Sequence, residues 1–374
     1  RHFCRLCAAS MKLDRPVYLH GLWGRPAPEA VLSQPAEGWT FVGEYPVRPV
    51  GPEIAPSAQT LLEKLFSENF ISPPASVGAV YIGSARGEIG SLLSSYETWK
   101  FRREALRFVP ETTPGALSVL VAEKLACSGP AITLSQTCVS GLAALYQAVL
   151  YTIATGQAAC FGAVEAPLHP LLIESFGYLR LASRRKAFPY TLPFQENSVA
   201  LAEGAVIGFV SPEPGPWQIE QVALYTHSGG GATFTALPEA AFPVLLRMLG
   251  ENPPQAVILH APGTRKGDFT ELRAVEAVWG RIPAITIKPL IGHSIGASGL
   301  LSLFWAQWLM THQMWLFDTD GIRLSPSDWP APPCRTERGL VRPLLPDGFL
   351  WRVAVLGAGF GGGVAGVILR YVPF

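Results

Sequence analysis

Charge is the property that this sequence has least of. Asp, Glu, Lys and Arg make up 15% of its 374 residues, and the formal net charge is +1 at pH 7. Soluble domains average about 25% charged residues, so little charge covers the surface. We therefore infer a sizeable buried interface, most simply that of a homodimer. A nearly neutral chain has no global electrostatic attraction to nucleic acid or to an anionic membrane, and no nucleic-acid partner is expected.

Regularly spaced cysteines are also absent. The six cysteines stand at positions 4, 7, 127, 138, 160 and 334, and a chain of this size needs no disulfide framework. A reducing cytoplasm is therefore the expected compartment. Cys4 and Cys7 have no second pair downstream, so neither a zinc site nor a redox centre is expected there.

No apolar run is long enough to cross a bilayer. The most apolar segment, GLLSLFWAQWLM, contains Gln307 and is shorter than the roughly 20 residues that a spanning helix requires. Residues 1–10 precede Met11 and are too short and too polar for a signal peptide. We therefore expect no membrane span and interpret residues 1–10 as an N-terminal extension.

The chain does contain a regular alternation of strand-like and helix-like segments. TTPGALSVLVAEKLA combines helix-start residues with apolar residues at helical spacing, and the strand-like AITLSQ follows after a turn. The segment SPEPGP, near the middle of the chain, is a strong loop signal. The pattern then repeats, which predicts an N-terminal half over residues 11–212 and a C-terminal half over residues 213–374.

One local repeat is literal. Pro-Ala-Ile-Thr occurs at 130–133 and again at 283–286, each time opening a strand that leads through a glycine-containing turn into an apolar helix. The first turn carries Cys138 and the second carries His293. Two pseudo-equivalent α/β halves, with chemistry at the C-terminal ends of matching strands, would explain this. Two unrelated α/β units remain the alternative.

Cys138 has two open interpretations. Cysteine is among the most buried residue types, which favours a core position. A helix beginning at Val139 or Ser140 would instead direct N–H groups at the sulfur and lower the pKa of a nucleophilic thiol. His260, which ends an apolar strand, and Lys288 with His293, which flank Gly292, are each weak signals. Their common position at strand ends indicates one site.

These motifs together resemble the β-ketoacyl synthases, the condensing enzymes of fatty-acid and polyketide synthesis. The matching segments, in the family's order, are PGALSVLVAEKLACSGPAITLSQTCVSGLAAL, HAPGTRKGDFTE, KPLIGHSIGASG and GAGFGGG. The resemblance implies an α/β chain with the thiolase-like fold, in which two pseudo-repeated halves form a layered αβαβα arrangement.

The resemblance also implies roles for individual residues. Cys138 would carry the acyl chain, His260 and His293 would stabilise the enolate, and Lys288 would pair with Glu271 and orient the histidine region. The N–H groups of Cys138 and Phe360 would form an oxyanion hole, with Phe360 as a gate. Thr264 would contact the pantetheine arm, and the supporting acidic residues would be Glu203, Asp268 and Glu271.

The implied partner is an acyl carrier protein, whose phosphopantetheine carries the substrates, and no cofactor or metal is expected. The subunit arrangement would be a homodimer or a heterodimer with a second ketosynthase-like chain. Two clusters, Arg184 to Lys186 and Arg265 with Lys266, could form a basic rim for the acidic carrier. Such charge runs are more often ordinary solvated surface.

The sequence departs from the family at several positions. Pro262 replaces a threonine, QENSVALAEGA lacks the usual arginine, and Gly363 with Val364 replaces Thr-Asn. Ala358 stands where an aromatic residue is usual, which predicts a gate that admits longer or stiffer acyl chains. These departures favour specialised polyketide or polyene synthesis in a stand-alone type II system.

Three other functions are alternatives. A non-catalytic chain-length partner would share the fold, but such subunits usually lack the cysteine. A degradative thiolase would place a cysteine where Phe360 stands. The glycines at 357, 359 and 362 match a dinucleotide-binding motif, but the next segment, VAGVILRYV, is strand-like and leaves no room for a βαβ unit.

Overall fold

The computed structural model describes residues 15–74, 76–102, 110, 112–227, 239–313, 315–316, 340–341 and 349–372. The expected N-terminal extension over residues 1–10, and with it Cys4 and Cys7, lies outside the described residues.

Fourteen strands are present in the described residues. They are β1 (Val17–Arg25), β2 (Thr40–Val42), β3 (Tyr45–Val47), β4 (Val77–Gly83), β5 (Ala131–Leu134), β6 (Ala158–Glu165), β7 (Gly204–Ser211), β8 (Trp217–Thr226), β9 (Ala256–Ile258), β10 (Ala284–Ile285), β11 (Trp315–Leu316), β12 (Leu340–Val341), β13 (Arg352–Ala358) and β14 (Gly363–Tyr371).

Ten α-helices lie between these strands in the described residues. They are α1 (Pro28–Ser33), α2 (Ala58–Glu68), α3 (Ile89–Arg102), α4 (Ala116–Lys124), α5 (Ser140–Thr155), α6 (Pro170–Tyr178), α7 (Ala241–Leu249), α8 (Arg265–Trp279), α9 (Lys288–Ile291) and α10 (Ser298–Thr311). Short 3₁₀ turns cover Ile295–Ala297 and Phe360–Gly362.

The described main sheet has the order β10-β9-β13-β14-β8-β1-β7-β6-β4-β5. Outward from the middle, the first half runs β1-β7-β6-β4-β5 and the second runs β8-β14-β13-β9-β10, which is the same succession. In both halves the two outermost pairings are parallel and the two inner ones antiparallel. The pseudo-repeat is therefore confirmed, and the two Pro-Ala-Ile-Thr segments lead into β5 and β10, which occupy equivalent edges.

The halves join where β1 pairs with β8 through a short antiparallel contact. Two apolar helices, α5 and α10, are packed between the two halves of the sheet in one shared core. Phe161 of β6 and Val353 of β13 face this core. Their neighbours Cys160 and Ala354 face the opposite way, toward α2 with α4 and toward α7 with α8 respectively. These packing contacts form the five layers of the predicted αβαβα arrangement.

The α5 helix follows the turn that carries Cys138. It is apolar on most sides, as a helix buried between two layers must be, and it ends at Gly156, which adopts φ 71° and donates its N–H to Thr152 O. By length and composition alone, the segment Thr137–Thr155 could cross a membrane. More than half of this segment is buried inside the protein. A core helix passes the same test of length and composition.

Candidate active site

The turn between β5 and α5 holds Cys138 at the start of the helix, as the sequence predicts. Cys138 is 6% exposed, and α5 begins two residues later at Ser140. The Ser140 hydroxyl donates to Thr137 O (2.6 Å) and accepts from the N–H of Gln136 (2.8 Å). These bonds hold the tight turn that places the Cys138 side chain against the pocket.

His293 is the nearest titratable neighbour of the thiol. Its Nε2 lies 3.3 Å from Cys138 Sγ, and its Nδ1 lies 2.8 Å from the Ser298 hydroxyl. Ser298 begins α10, so the helix fixes the orientation of the imidazole. Sequence reasoning missed Ser298, although a hydroxyl residue five positions after the histidine, at a helix start, was an available signal.

His260 lies beside His293, with ring centroids 5.2 Å apart and planes at 81°. Its position is set through the main chain. The Glu271 carboxylate accepts the N–H groups of His260 (2.7 Å) and Ala261 (2.9 Å). Thr286 adds a hydroxyl that donates to Ala261 O at 3.1 Å. Glu271 therefore anchors the end of β9 where His260 emerges.

Lys288 is 1% exposed. The predicted pairing of Lys288 with Glu271 takes no hydrogen-bonded form: among the described residues, Lys288 Nζ has no hydrogen-bond partner, and Glu271 acts on it through its charge. Both Glu271 oxygens are already occupied by the N–H groups after β9. Burial lowers the pKa of Lys288 to about 8, although the nearby Glu271 opposes this change.

The electrostatics of the thiol also differ from the expectation. Burial, followed by the charge of Glu165, raises the pKa of Cys138 to about 12, so the predicted lowering of this pKa by the helix start is wrong. Burial outweighs the opposing effects of Arg86, of Lys288 and of the Cys138 backbone N–H, which lower this pKa. Burial, then Lys288, lowers the pKa of His293 to about 3, and burial, then His293, lowers that of His260 well below its usual value. The site therefore holds a neutral thiol and two neutral imidazoles.

Glu165 is a buried acid that sequence reasoning missed. It ends β6, and its Oε1 accepts the N–H of Ala85 and the hydroxyl of Ser84. Within the described residues, its Oε2 has no hydrogen-bond partner. Burial raises the pKa of Glu165 to about 7. An acidic residue at the end of a fully apolar strand was the signal that could have identified it.

A pocket of about 260 Å³ opens onto Cys138, His260 and His293. Most of its other lining residues are apolar, and polar groups are few. The apolar ones are Phe176, Leu179, Leu181, Val199, Phe242, Pro262, Ala358 and Phe360, and the polar ones include Asn197, Thr264, Lys266 and Thr270. A mainly apolar pocket that contains a thiol is suited to an acyl chain.

Phe360 lies at the 3₁₀ turn between β13 and β14, and its ring is 6.2 Å from that of Phe176 across the pocket. The glycine motif around it connects two antiparallel strands. That hairpin excludes the dinucleotide-binding interpretation, which requires a helix after the motif.

The remaining predicted site residues fall into two groups. Thr264 lines the pocket, and its hydroxyl donates to the buried Asp268 at 3.4 Å. Asp268 also accepts the N–H of Phe194 (3.0 Å) and so links the segment at Phe194 to the pocket-lining Thr264. Glu203 is not brought to this pocket: its carboxylate accepts the N–H groups of Val50 (2.9 Å) and Ala55 (2.6 Å). Its observed contacts brace the chain after β3.

The two basic clusters are placed differently. Lys266 lines the pocket. Arg184 pairs with Glu44 (3.2 Å) and Lys186 donates to Glu44 O (3.0 Å), so these two cations are engaged by the β2–β3 hairpin. No group of three or more His, Cys, Asp or Glu side chains in the described part of the chain is placed to hold a metal ion.

Sequence similarity covers both halves. The family model described as "Beta-ketoacyl synthase, N-terminal domain" matches residues 60–212, and "Beta-ketoacyl synthase, C-terminal domain" matches residues 249–317. A "Putative polyketide beta-ketoacyl synthase 1" of Streptomyces cyaneus is 29% identical over 265 residues, which are 63% of this chain and 62% of that protein. The "Actinorhodin polyketide putative beta-ketoacyl synthase 1" of Streptomyces coelicolor is 27% identical over 337 residues, 79% and 68% respectively. For three such relatives the match spans only 51% to 62% of their length.

Solved structures share the fold. One, described as a "type II PKS acyl-carrier protein in complex with its ketosynthase bound to the hexaketide", superposes with a TM-score of 0.77 at 18% identity, covering 96% of this chain and 100% of that one. "The ishigamide ketosynthase/chain length factor" also gives 0.77, at 16% identity with coverages of 96% and 100%. At these identities the likeness shows the ketosynthase fold alone.

Proposed function

The chain belongs to the β-ketoacyl synthase family, and we propose that it catalyses the decarboxylative condensation of a malonyl thioester with an acyl chain carried on Cys138. The observation that supports this most is the position of Cys138 Sγ, 3.3 Å from His293 Nε2, in a mainly apolar pocket that His260 also lines. A condensing role of this general kind is what the family supports.

In the first half-reaction, the Cys138 sulfur attacks an acyl thioester. We assign the Ser298 hydroxyl as the donor to His293 Nδ1, which leaves the proton on Nε2, where it can donate to the sulfur. The bond from Sγ to the acyl carbon forms, the bond to the pantetheine sulfur breaks, and the thiol proton ends on the departing pantetheine thiol. The hydrogen bond from His293 offsets part of the penalty that burial imposes on the thiolate.

In the second half-reaction, the malonyl carboxylate leaves as CO₂ and its electron pair enters an enolate. Neutral His260 and His293 can donate N–H groups to the enolate oxygen, and their lowered pKa values keep them neutral. The enolate carbon attacks the acyl carbonyl, the bond to Cys138 breaks as the ketone forms, and the departing Cys138 sulfur takes up one proton from solvent to restore the thiol. Backbone N–H groups of Cys138 and Phe360 would stabilise the tetrahedral oxyanion, each by about 3 kcal/mol.

We propose an acyl carrier protein as the donor of both substrates, with Lys266 at the pocket as one contact for its phosphopantetheine or its acidic surface. No cofactor beyond that carrier-borne pantetheine is needed for these steps. The active unit would be a homodimer or a heterodimer with a second ketosynthase-like subunit. We place the reaction in the cytoplasm, where a free thiol such as Cys138 remains reduced.

The departures around the pocket favour specialised polyketide or polyene products over housekeeping fatty acids. Ala358 leaves the pocket wall small at a point beside Phe360. Pro262 provides no hydroxyl to the pocket, and the neighbouring hydroxyls that line it are those of Thr264 and Thr270. A wider and less polar pocket would suit chains that are long or stiffened by conjugation.

The test is product formation by the purified chain from hexanoyl-carrier protein and malonyl-carrier protein, with and without a co-expressed ketosynthase-like subunit. A 3-ketoacyl product is expected for the wild type and for the control Cys127→Ala, and none for Cys138→Ala. If the chain forms no product, yet changes the product length of a second, active ketosynthase, it is the non-catalytic chain-length partner.

A further inference from the structure

Thr137, the residue before the nucleophile, has an unusual backbone conformation. Its φ is +49°, a left-handed conformation that is costly for a residue branched at Cβ. The hydroxyl of Ser140 accepts the N–H of Gln136 and donates to the carbonyl of Thr137 itself, so the helix start helps to hold this conformation. Such strain persists only where the surrounding contacts fix it, and it places the Thr137 side chain toward the β13–β14 turn.

The Thr137 hydroxyl donates to Phe360 O at 3.2 Å. This bond joins the nucleophile elbow of one half to the loop that carries Phe360 in the other half. The same loop is closed on itself, because the N–H of Gly359 donates to Gly363 O at 2.8 Å. Thr137 therefore contacts a short, internally bonded segment.

Gly359 shows how closely the two segments approach. Its φ is −141° and its ψ 162°, extended values that any residue adopts, so its conformation does not require glycine. A Cβ placed there would overlap Thr137 Oγ1 and lie 3.1 Å from Cys138 N. The absence of a side chain at 359 is thus explained by the Thr137 hydroxyl and the elbow backbone.

We propose that Thr137 is a positioning residue that latches residues 359–363 to the nucleophile elbow. The latch fixes the spacing between the main-chain groups of Cys138 and Phe360, and it keeps the Phe360 ring against Phe176. This inference rests on the proposed condensing function, which requires both N–H groups to meet one oxyanion. Thr137 makes no contact with substrate. It affects acyl transfer by holding the loop that carries Phe360.

Thr137→Val tests the hydroxyl alone, because valine keeps the volume and the branching at Cβ. Hydrogen exchange of the peptide spanning 352–366 should become about tenfold faster, since the loop opens more often. Thr137→Ser keeps the hydroxyl and should restore slow exchange. The matched control is Thr155→Val, which removes a similar hydroxyl-to-carbonyl bond (2.8 Å to Tyr151 O) at the other end of α5 and should leave the peptide unchanged.

Two rates on Cys138 separate positioning from general loosening. With hexanoyl-N-acetylcysteamine, acylation of Thr137→Val should fall about tenfold, because the oxyanion donors lose their spacing. Alkylation by iodoacetamide forms no oxyanion and should stay within about twofold of the wild type. A variant that was merely unstable would expose the buried thiol and would be alkylated much faster while its acylation fell.

A double-variant cycle tests the contact directly. Gly359→Ala should slow acylation about a hundredfold in the wild-type background, because the methyl group displaces the loop. In Thr137→Ala the obstructing hydroxyl is gone but the 3.1 Å approach to Cys138 N remains, so adding Gly359→Ala should cost only about tenfold. Additive effects would overturn the latch.

The proposal also fails if Thr137→Val exchanges as slowly as the wild type at 352–366. Exchange needs no substrate, so it decides the latch even if the chain proves inactive. If the wild type is inactive but its exchange at 352–366 depends on Thr137, the condensing function is rejected and the latch is retained. If the wild type is active and Thr137→Val changes nothing, the latch is rejected and the condensing function is retained.

Discussion

The two halves of the molecule have one strand order but end their equivalent strands in different chemistry. The β5 strand leads to Cys138 within a few residues, directly at the start of a helix. Its counterpart β10 is followed by the short α9 helix and a 3₁₀ turn before α10 begins, and His293 stands in that longer connection. The same framework thus places a buried thiol on one side and an imidazole 3.3 Å from it on the other.

The other strand pairs diverge in the same way. β4 leads to Ser84, which with β6's terminal Glu165 forms a buried polar brace. Their counterparts β9 and β13 lead to His260 and to Ala358 before the Phe360 loop. The first half therefore ends these two strands in a buried polar brace, whereas the second half ends them in residues that line the pocket. Four predictions test this division of roles.

The largest effect is expected from the histidines of the second half. His293→Ala should lower condensation by about 10² to 10³, because one preorganised donor is lost both to the thiol and to the enolate. His260→Ala should reduce decarboxylation to a similar extent while Cys138 is still acylated. Acylation is measured by intact-protein mass spectrometry, and His312→Ala, an exposed histidine stacked on Trp308, is the matched control. Equal acylation defects in His293→Ala and His260→Ala would contradict these separate roles of the two histidines.

The brace in the first half should appear as pH-dependent stability. The folded pKa of Glu165 is raised from 4.5 to about 7, so the folded state holds its proton more tightly than the unfolded state. Its contribution is complete below pH 4.5 and is lost as the pH rises through 7. Relative to Glu165→Gln, the wild type should lose up to about 3 kcal/mol of unfolding free energy over this window, measured by urea denaturation.

Glu174→Gln, at an exposed position on α6, is the control for that experiment. Its stability should follow the wild type across the same pH range. If Glu165→Gln also follows the wild type, Glu165 is not a protonated brace at the elbow.

Ala358→Phe should narrow the pocket from the second half. We expect the preferred acyl chain to shorten, with the rate for a 12-carbon chain falling about tenfold relative to a six-carbon chain, because an added ring fills space lined by Phe242 and Phe360. The measurement is competition between acyl-carrier proteins of different lengths. An unchanged chain-length profile would remove Ala358 as a determinant.

The smallest effect is expected at the basic residues. Lys266→Glu should raise the Michaelis constant for carrier-bound substrate about threefold to tenfold and leave kcat unchanged, since it acts on encounter. Arg184→Glu should have less effect, because Arg184 is already paired with Glu44. The free pantetheine thioester serves as the comparison substrate, and equal losses for both substrates would reject a docking role.

Much of this organisation could be predicted from the sequence. Periodicity and the repeated Pro-Ala-Ile-Thr segment indicated the two halves, and the strand-end positions of Cys138, His260 and His293 brought them together in one pocket. The sequence did not predict the pKa of Cys138 or the hydrogen-bond partners of Glu271. No residue pattern shows that burial outweighs a helix start at Cys138, or that main-chain N–H groups occupy Glu271 in place of Lys288.

Residues that act through the backbone were also missed. Thr137 and Ser298 carry no motif of their own, and their roles depend on a φ value and on distances across the two halves. Glu203 was assigned to the site by its motif, yet its hydrogen bonds brace the segment after β3. Long-range packing decides such cases, and local sequence does not encode it.

The most direct test of the account is peptide mapping after incubation of the purified chain with hexanoyl-carrier protein. It should show one hexanoyl group on the peptide containing Cys138, none on those containing Cys127 or Cys160, and loss of that group with release of CO₂ once malonyl-carrier protein is added. An unmodified Cys138 with acyl donors from two to sixteen carbons, or an adduct that persists after malonyl addition, would contradict it.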